Sequence, residues 1–551
     1  MLRLNLEKML QQLPIFISNL EPDTIREQFS GICFVGDDII IDSDGYAEWK
    51  EEQRLFIKKS STSFAEGRFI AFIREGNRWI CKTDFFGQET LFYYNDGSSW
   101  AVSNSLIYLA EKLTYHNIKL DLYKPALQSF MVSNQSLFGG QLLSHRTPFE
   151  QIRMLPINQE LHIRKRFNTY RMSTSGYRYS QIDIKGQKDY ERYLGHYIEQ
   201  WSNRLDALTD SAFSSKTIEL SGGYDTRVNL ALLLNSSGAL RDMNISSIKS
   251  LEADYKAASR LTKELGLKIG NTRTVESNIS DPGEMFSIWK YGNSGFYAPI
   301  YTVRSNHHVD ALKIHGANYR GRSYVNNDAP KRASIMEDQV QGEVGKIVSQ
   351  EFKNSFDEIG VDINNPNAID KHYTAFRCRL HYGRNWFWRF RDFYVTPQLS
   401  PLYKELNDFR SYTANNSEQT TCDILVNTDE RLATLPFDTA EKEFSNESIE
   451  KARSLNIESP QRKRIGIYGK PLVNNNTKDE SETSDNNKEA FKELVRRHYY
   501  DAVKRPEMKE IFGSSFIEMA NDEIGLERLP SSGKISVIIS AAITLDIIET
   551  Q

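Results

Sequence analysis

The chain reads as an α/β protein with two successive architectures, an antiparallel α+β part followed by a parallel-sheet α/β part with a helical C-terminal region. Two observations predict this. Over roughly the first 170 residues, short apolar runs alternate with turn signals. From about residue 188 the pattern changes to strand–helix–strand–helix–strand, which predicts parallel pairing with right-handed crossovers. The length of 551 residues allows several domains, and 39% hydrophobic with 26% charged residues excludes wholesale disorder.

In the first part the candidate strands are GICFVG, FIAFIR, RWICKT, TLFYYN and SWAVSN, with DDIIIDSDG, REGN and YNDGSS as turn signals. The Asp96–Gly97 pair predicts a hairpin. Polar text between 165 and 190 marks a boundary, giving domains 1–175 and 186–551. In the second part YERYLGHYIEQWSNRLDALTD predicts a long amphipathic helix, KTIEL a buried strand and VNLALLL a helix. That last helix is expected to stop at Ser236-Ser237-Gly238, with Gly238 as a left-handed cap. MNISSIK and KIGNTRTV predict the second and third strands. Between them LEADYKAASRLTKELG predicts a helix with Ala253, Ala257, Leu261 and Leu265 on its apolar stripe. Residues 280–440 read as mainly helical, and 473–488 as a polar, solvated insertion.

Lys and Arg total 69 against 73 Asp and Glu, a net charge of −4, which argues against nucleic acid as a partner. Cys33, Cys81, Cys378 and Cys422 form no CxxC pair, so a zinc ribbon or a disulfide-stapled secreted scaffold is not expected. With no apparent secretory signal at the N-terminus, the expected setting is cytoplasmic. The apolar tract at 535–548 contains Asp546 and is shorter than the ~20 residues of a bilayer span. It reads as a buried helix or strand, with no membrane partner expected.

Chemistry concentrates in Ser221-Gly222-Gly223-Tyr224-Asp225-Thr226, between a strand and a helix N-terminus. Backbone N–H groups and the helix dipole favour an anion there, and two glycines allow close approach. Ser221 and Thr226 can donate to phosphate oxygens, and Asp225 suits a magnesium ion bridging to pyrophosphate. The competing plain reading is a Gly-rich turn capped by Thr226. No GxxxxGK[ST] or GxGxxG occurs.

SGGYDT resembles the SGGxD[ST] pyrophosphate loop of the PP-loop ATP pyrophosphatase fold, with the nearest likeness to the asparagine synthetase family. Asp254 with Ala257 and Ala258 resembles that family's next helix. DFFGQETLFYY, AVSNSLIYL and FEQIRMLPINQELHI resemble segments of its N-terminal, Ntn-type amidotransferase domain, and LHYGR with TPQLSPLY its later region. The resemblance spans roughly 30–440. It implies an ATP-dependent ligase that adenylates a substrate carboxylate, releases pyrophosphate, and passes the acyl group to an amine, with ATP and Mg2+ as cofactors. Gly222, Gly223, Ser221, Thr226 and Asp225, the last through the metal, would hold the pyrophosphate. Leu220, Ser246 and Ile248 would line the adenine pocket.

Two departures qualify the likeness. Position 2 is Leu2, where glutamine-dependent members expose a cysteine, and Cys33 reads as a core residue. No glutaminase activity is expected, so the amine comes from free ammonia, a partner or a second substrate. The family's acidic SGEGxDE loop corresponds to His315-Gly316-Ala317-Asn318-Tyr319-Arg320-Gly321-Arg322, which lacks the acid. It resembles a variant loop of divergent members near surface-polysaccharide genes, which suggests a glycan carboxylate among the substrate classes. Asn318 could coordinate weakly, Arg320 or Arg322 could bind phosphate directly, and Asp328 is the nearest carboxylate downstream. Lys442 and Lys463 are both candidates for the family's late lysine. The rival readings are a non-catalytic scaffold of the same fold and a different PP-loop enzyme, such as a tRNA-modifying thiolase. His307, His308 and His315 make a weak metal cluster. The arginines of FRCRLHYGRNWFWRFRDF read first as stems packed on rings, with an anion site as the alternative.

Overall fold

The computed structural model describes residues 15–56, 65–132, 138–157, 159–166, 169–176, 182–211, 213–236, 238–273, 281–300, 311–317, 319, 328–383, 393–470, 485–524 and 533–551. The N-terminal part is built on two sheets whose strands up to residue 176 pair antiparallel. One holds Phe16–Ser18, Trp100–Ser103, Phe92–Asn95 and Ile152–Met154 in that order. The other runs Thr169–Gly176, Gln159–Arg166, Arg78–Thr83, Glu66–Glu75, Gln28–Val35 and Asp38–Ile41, and ends on Gly466–Tyr468. Ile17, Phe72, Cys81, Trp100, Val102 and Ile163 interdigitate between the sheets. Helices cover the outer faces: Asp42–Phe56 on one, and Leu106–Tyr115 with Pro282–Asn293 and two C-terminal helices on the other.

The expected hairpin is present, pairing Asn95 with Trp100 and using Gly97 at φ +92. The segment DDIIIDSDG is not a turn. Asp38–Ile41 forms a strand and Asp42, at φ +53, opens the helix Asp42–Phe56. Asp42 accepts a hydrogen bond from the Gly31 amide at 2.8 Å, so its side chain serves a neighbouring strand rather than a turn. Cys33 is fully buried on the helix-covered face, and burial pushes its thiol well above the usual range.

The second part is a five-stranded sheet with every pairing parallel, ordered Asn271–Arg273, Asn244–Ile248, Ser215–Glu219, Ala311–Ile314, Phe393–Val395. Ala311–Ile314 and Phe393–Val395 fall within the stretch expected to be mainly helical. All four residues of ALKI are buried, so no alternation betrays the strand. Gly238 is not a left-handed cap. Its φ is −160, and its amide donates to Asp206 at 3.2 Å, steering the chain into a short 3-10 turn. On Glu252–Glu264 the buried stripe is Ala257, Ala258, Leu261 and Thr262, while Ala253 is exposed.

The C-terminal region returns to the first part. Gly466–Tyr468 pairs parallel with Asp38–Ile41. The tract at 535–548 lies in the helix Gly533–Glu549, packed with Met285, Ile288 and Trp289. Ser540 hydroxyl meets Ser294 hydroxyl at 3.1 Å. Among the described residues no helix is long and apolar enough to cross a membrane. Of the polar insertion, 485–488 already belong to the helix Asp485–Val503, and the remainder lies outside the described residues. The long helix Gln187–Asp210 is tied to the N-terminal sheet by a buried Arg204–Glu66 ion pair at 2.7 Å.

A buried histidine gives the fold a pH signature. His372 is fully buried beside Phe138, Phe352, Phe356 and Phe376, and its Nε2 donates to the Leu143 carbonyl at 3.0 Å. Burial pushes its pKa down to about 3. The native state therefore keeps it neutral while the unfolded chain binds a proton below about pH 6.5. Its contribution is whole above that value and is lost as pH falls toward 3, at about 1.4 kcal/mol per unit. His372→Gln is expected to flatten the fall in Tm on acidification from about pH 7 to pH 4, read by scanning calorimetry.

Candidate functional site

The strand Ser215–Glu219 is the first of the parallel sheet in the chain and the middle one in space. The following strands go to one side of it, and Ala311–Ile314 goes to the other. The carboxyl ends of Ser215–Glu219 and Ala311–Ile314 thus flank a topological switch point, where open parallel sheets form a ligand crevice. Both loops singled out from sequence leave the sheet there: 220–223 from the first strand and 315–317 from the second.

The first loop is held in a defined shape. Leu220 is buried and its amide donates to the Ser246 carbonyl at 2.8 Å. Asp254, in the first turn of its helix, accepts the Gly222 amide at 2.8 Å. The Ser221 amide donates to the Thr226 hydroxyl at 3.1 Å, and the Gly223 amide to the Ser221 hydroxyl at 3.1 Å. Ser221, Gly223 and Asp225 are half-buried, while Gly222, Tyr224 and Thr226 are buried. The loop therefore shows its odd-numbered residues outward. The N-cap of the helix Tyr224–Leu234 is Gly223, not Thr226, and no side chain caps it.

The second loop closes on the first. A Cβ at Gly316 would lie 2.9 Å from Thr226 Cγ2 and 3.1 Å from Asp225 Cβ, so only glycine permits this approach. His315 donates its amide to the Val395 carbonyl at 3.0 Å, and its ring nitrogen contacts the Glu219 carboxylate. Lys313 also reaches Glu219, at 2.7 Å. His315 is thus engaged with the end of the central strand. Ser246 is buried with its hydroxyl lacking a hydrogen-bond partner among the described residues, and Ile248 ends its strand half-buried. Asn318, Arg320, Gly321 and Arg322 lie outside the described residues, as do His307 and His308. Asp328 is drawn into a helix cap, accepting the Lys331 amide at 2.9 Å.

A third element adds Asp438 to Lys442, which was a candidate from sequence. Asp438 sits against Gly222, its amide 3.4 Å from the Gly222 carbonyl, and holds Lys442 at 2.6 Å. Tyr224 donates to the Lys442 carbonyl at 2.5 Å and packs on Phe437 and Phe444. Fully buried Arg227 anchors the segment by donating to the carbonyls of Leu432, Leu435 and Pro436. Of the two candidate lysines, Lys442 is beside the loop, whereas Lys463 pairs with Glu199 elsewhere. The i, i+4 spacing of Asp438 and Lys442 is the sequence signal that could have added Asp438 to that candidate.

Asp225, Asp254 and Asp438 place three carboxylates around a loop whose amides at 221, 222 and 223 donate within the chain, with Lys442 as a nearby cation. No group of three metal-ligating side chains converges among the described residues. This donor set fits magnesium shared with phosphate oxygens, which needs only one or two protein carboxylates. The arginine-rich segment is structural where described: Arg379 is buried and donates to the Leu155 carbonyl at 2.7 Å, and Arg377 to Gln141 at 3.1 Å.

No protein-family model matches the chain, and no curated protein matches it.

Proposed function

We propose that this protein is an asparagine synthetase-like, ATP-dependent, AMP-forming ligase that adenylates a carboxylate and transfers it to an amine without glutaminase activity of its own. The reading is carried by one observation: SGGYDT and the 315–317 loop meet at the switch point of the parallel sheet, with Gly316 against Thr226 and Asp225. The outward residues Ser221, Gly223 and Asp225 would face the leaving pyrophosphate. Magnesium, when bound with the nucleotide, would neutralise developing charge on the pyrophosphate, and Asp225 is the residue to hold it. Lys442, fixed by Asp438, would add a cation at the rim of the loop. Leu220 and Ser246 would back the adenine. The acceptor amine would come from a second substrate or a separate ammonia source, and a small-molecule or glycan acid is the proposed carboxylate.

Calorimetric binding of a non-hydrolysable ATP analogue tests the reading. Micromolar affinity is expected, with the magnesium-dependent part lost in Asp225→Ala and about tenfold weaker binding in Lys442→Met. Absence of binding at millimolar nucleotide in a folded sample would overturn it and leave the scaffold reading.

A further inference from the structure

We infer that the N-terminal part holds the nucleotide loop in position through a bridge across one turn, in which Gln88 holds Thr396 and Gln398, two residues on, holds the Asp225 carbonyl, and so forms part of the ligase site. The functional meaning of the bridge rests on the reading above; the bridge itself rests on geometry.

The bridge starts from a rigid turn. Asp84 is buried, and its carboxyl group accepts the amides of Phe86 and Gln88 at 3.1 Å and of Glu89 at 3.2 Å. Gly87 completes the turn at φ +62. Arg68 clamps the turn to the second part by donating to Glu89 at 3.2 Å and to the Gly383 carbonyl at 2.7 Å. A Cβ at Gly383 would lie 2.1 Å from the Gln88 carbonyl oxygen, so the two backbones touch. The Phe86 ring stacks on Tyr319 at 5.7 Å.

Gln88 projects from this turn with its amide fixed at both ends. Its Nε2 donates to the Gly67 carbonyl at 2.9 Å, and its Oε1 accepts from the Thr396 hydroxyl at 3.3 Å. Thr396 opens a turn closed by the Leu399 amide on its carbonyl at 2.9 Å. Within that turn Gln398 is fully buried and donates its Nε2 to the Asp225 carbonyl at 3.1 Å. The proposed metal-holding residue is thus braced from the far domain by two amides and one hydroxyl. The Thr396 hydroxyl is the side-chain link from this turn to Gln88, so its loss is expected to loosen the loop that the turn braces.

Gln88, Thr396 and Gln398 are positioning residues, and isosteric substitutions test them. Hydrogen exchange would be measured on the peptide covering 221–226 in the full chain without nucleotide, together with ATP-analogue affinity and Tm. Thr396→Val is expected to raise exchange at 221–226 about fivefold and to weaken analogue binding by a similar factor, the worth of one hydrogen bond. Thr396→Ser, which restores the hydroxyl, is expected to match the parent chain. Gln88→Met, made in the other domain, is expected to reproduce the valine effect. Unchanged exchange at 221–226 in both Thr396→Val and Gln88→Met would overturn the bridge. So would a rise spread equally over the remote helix Gly533–Glu549, which would mean general destabilisation. If exchange responds as expected but the parent chain binds no analogue, the bridge stands and the ligase reading falls.

Discussion

Arg227→Met is expected to cost about 3 kcal/mol or more of folding stability and to abolish nucleotide binding. The guanidinium is fully buried and donates Nη1 to the carbonyls of Leu432 and Leu435 at 2.8 and 2.7 Å, and Nη2 to that of Pro436 at 2.5 Å. It lies over the Phe437 ring at 3.6 Å. Burial lowers its pKa to about 10, so it stays charged at neutral pH. A charge-assisted hydrogen bond contributes about 1.5–3 kcal/mol, and methionine would leave three carbonyls without their donor. The segment released is the one carrying Asp438 and Lys442 to the rim of the loop. Arg227→Lys should recover little, because an ammonium cannot reproduce the planar fork. Denaturant unfolding would show the loss as a lowered midpoint. A midpoint unchanged in Arg227→Met would remove this anchor from the account.

Gly222→Ala should leave the chain folded while weakening analogue binding at least tenfold. An added Cβ would lie 2.4 Å from the Asp438 Cβ and 2.9 Å from both its Cγ and its amide nitrogen. Two elements pack there through backbone and Cβ atoms, which cannot swing aside as a long side chain would. Relief requires the Asp438 segment to retreat or the loop to deform, and either changes the rim that the nucleotide would meet. Overpacking of this kind costs about 1–3 kcal/mol, within reach of a stable domain. Gly238→Ala is the control, since a Cβ there meets nothing within 4 Å. Equal calorimetric affinity for the two variants would show that the contact between Gly222 and Asp438 is irrelevant to binding.

The local sequence determined much of this molecule. Strand, loop and helix around SGGYDT were legible because the apolar period changes from strand to helix at the glycine pair, and the neighbouring strand–helix–strand order implies a parallel sheet. The Asp96–Gly97 hairpin was legible because its turn chemistry is local. Burial of Cys33 followed from its place in an apolar run. The two further strands of the parallel sheet were not legible, since four- and three-residue buried strands carry neither alternation nor length. The polar hairpin strand Thr169–Gly176 was hidden for the opposite reason: its side chains are mostly exposed, and backbone pairing alone makes it a strand.

The tertiary structure alone brought Asp438, Gln88 and Gln398 to the loop. Asp438 and Lys442 stand more than two hundred positions beyond Gly222, and the buried fork of Arg227 together with Tyr224 brings their segment back to it. Gln88 reaches the loop through the turn of Thr396 and Gln398 because the N-terminal sheets meet the parallel-sheet part at the Asp84 turn, a contact between residues about three hundred positions apart. Periodicity and turn propensity act over a few residues, so they fix elements. Which loops meet is settled by burying the faces those elements present, together with the buried polar groups that must find partners once water is excluded.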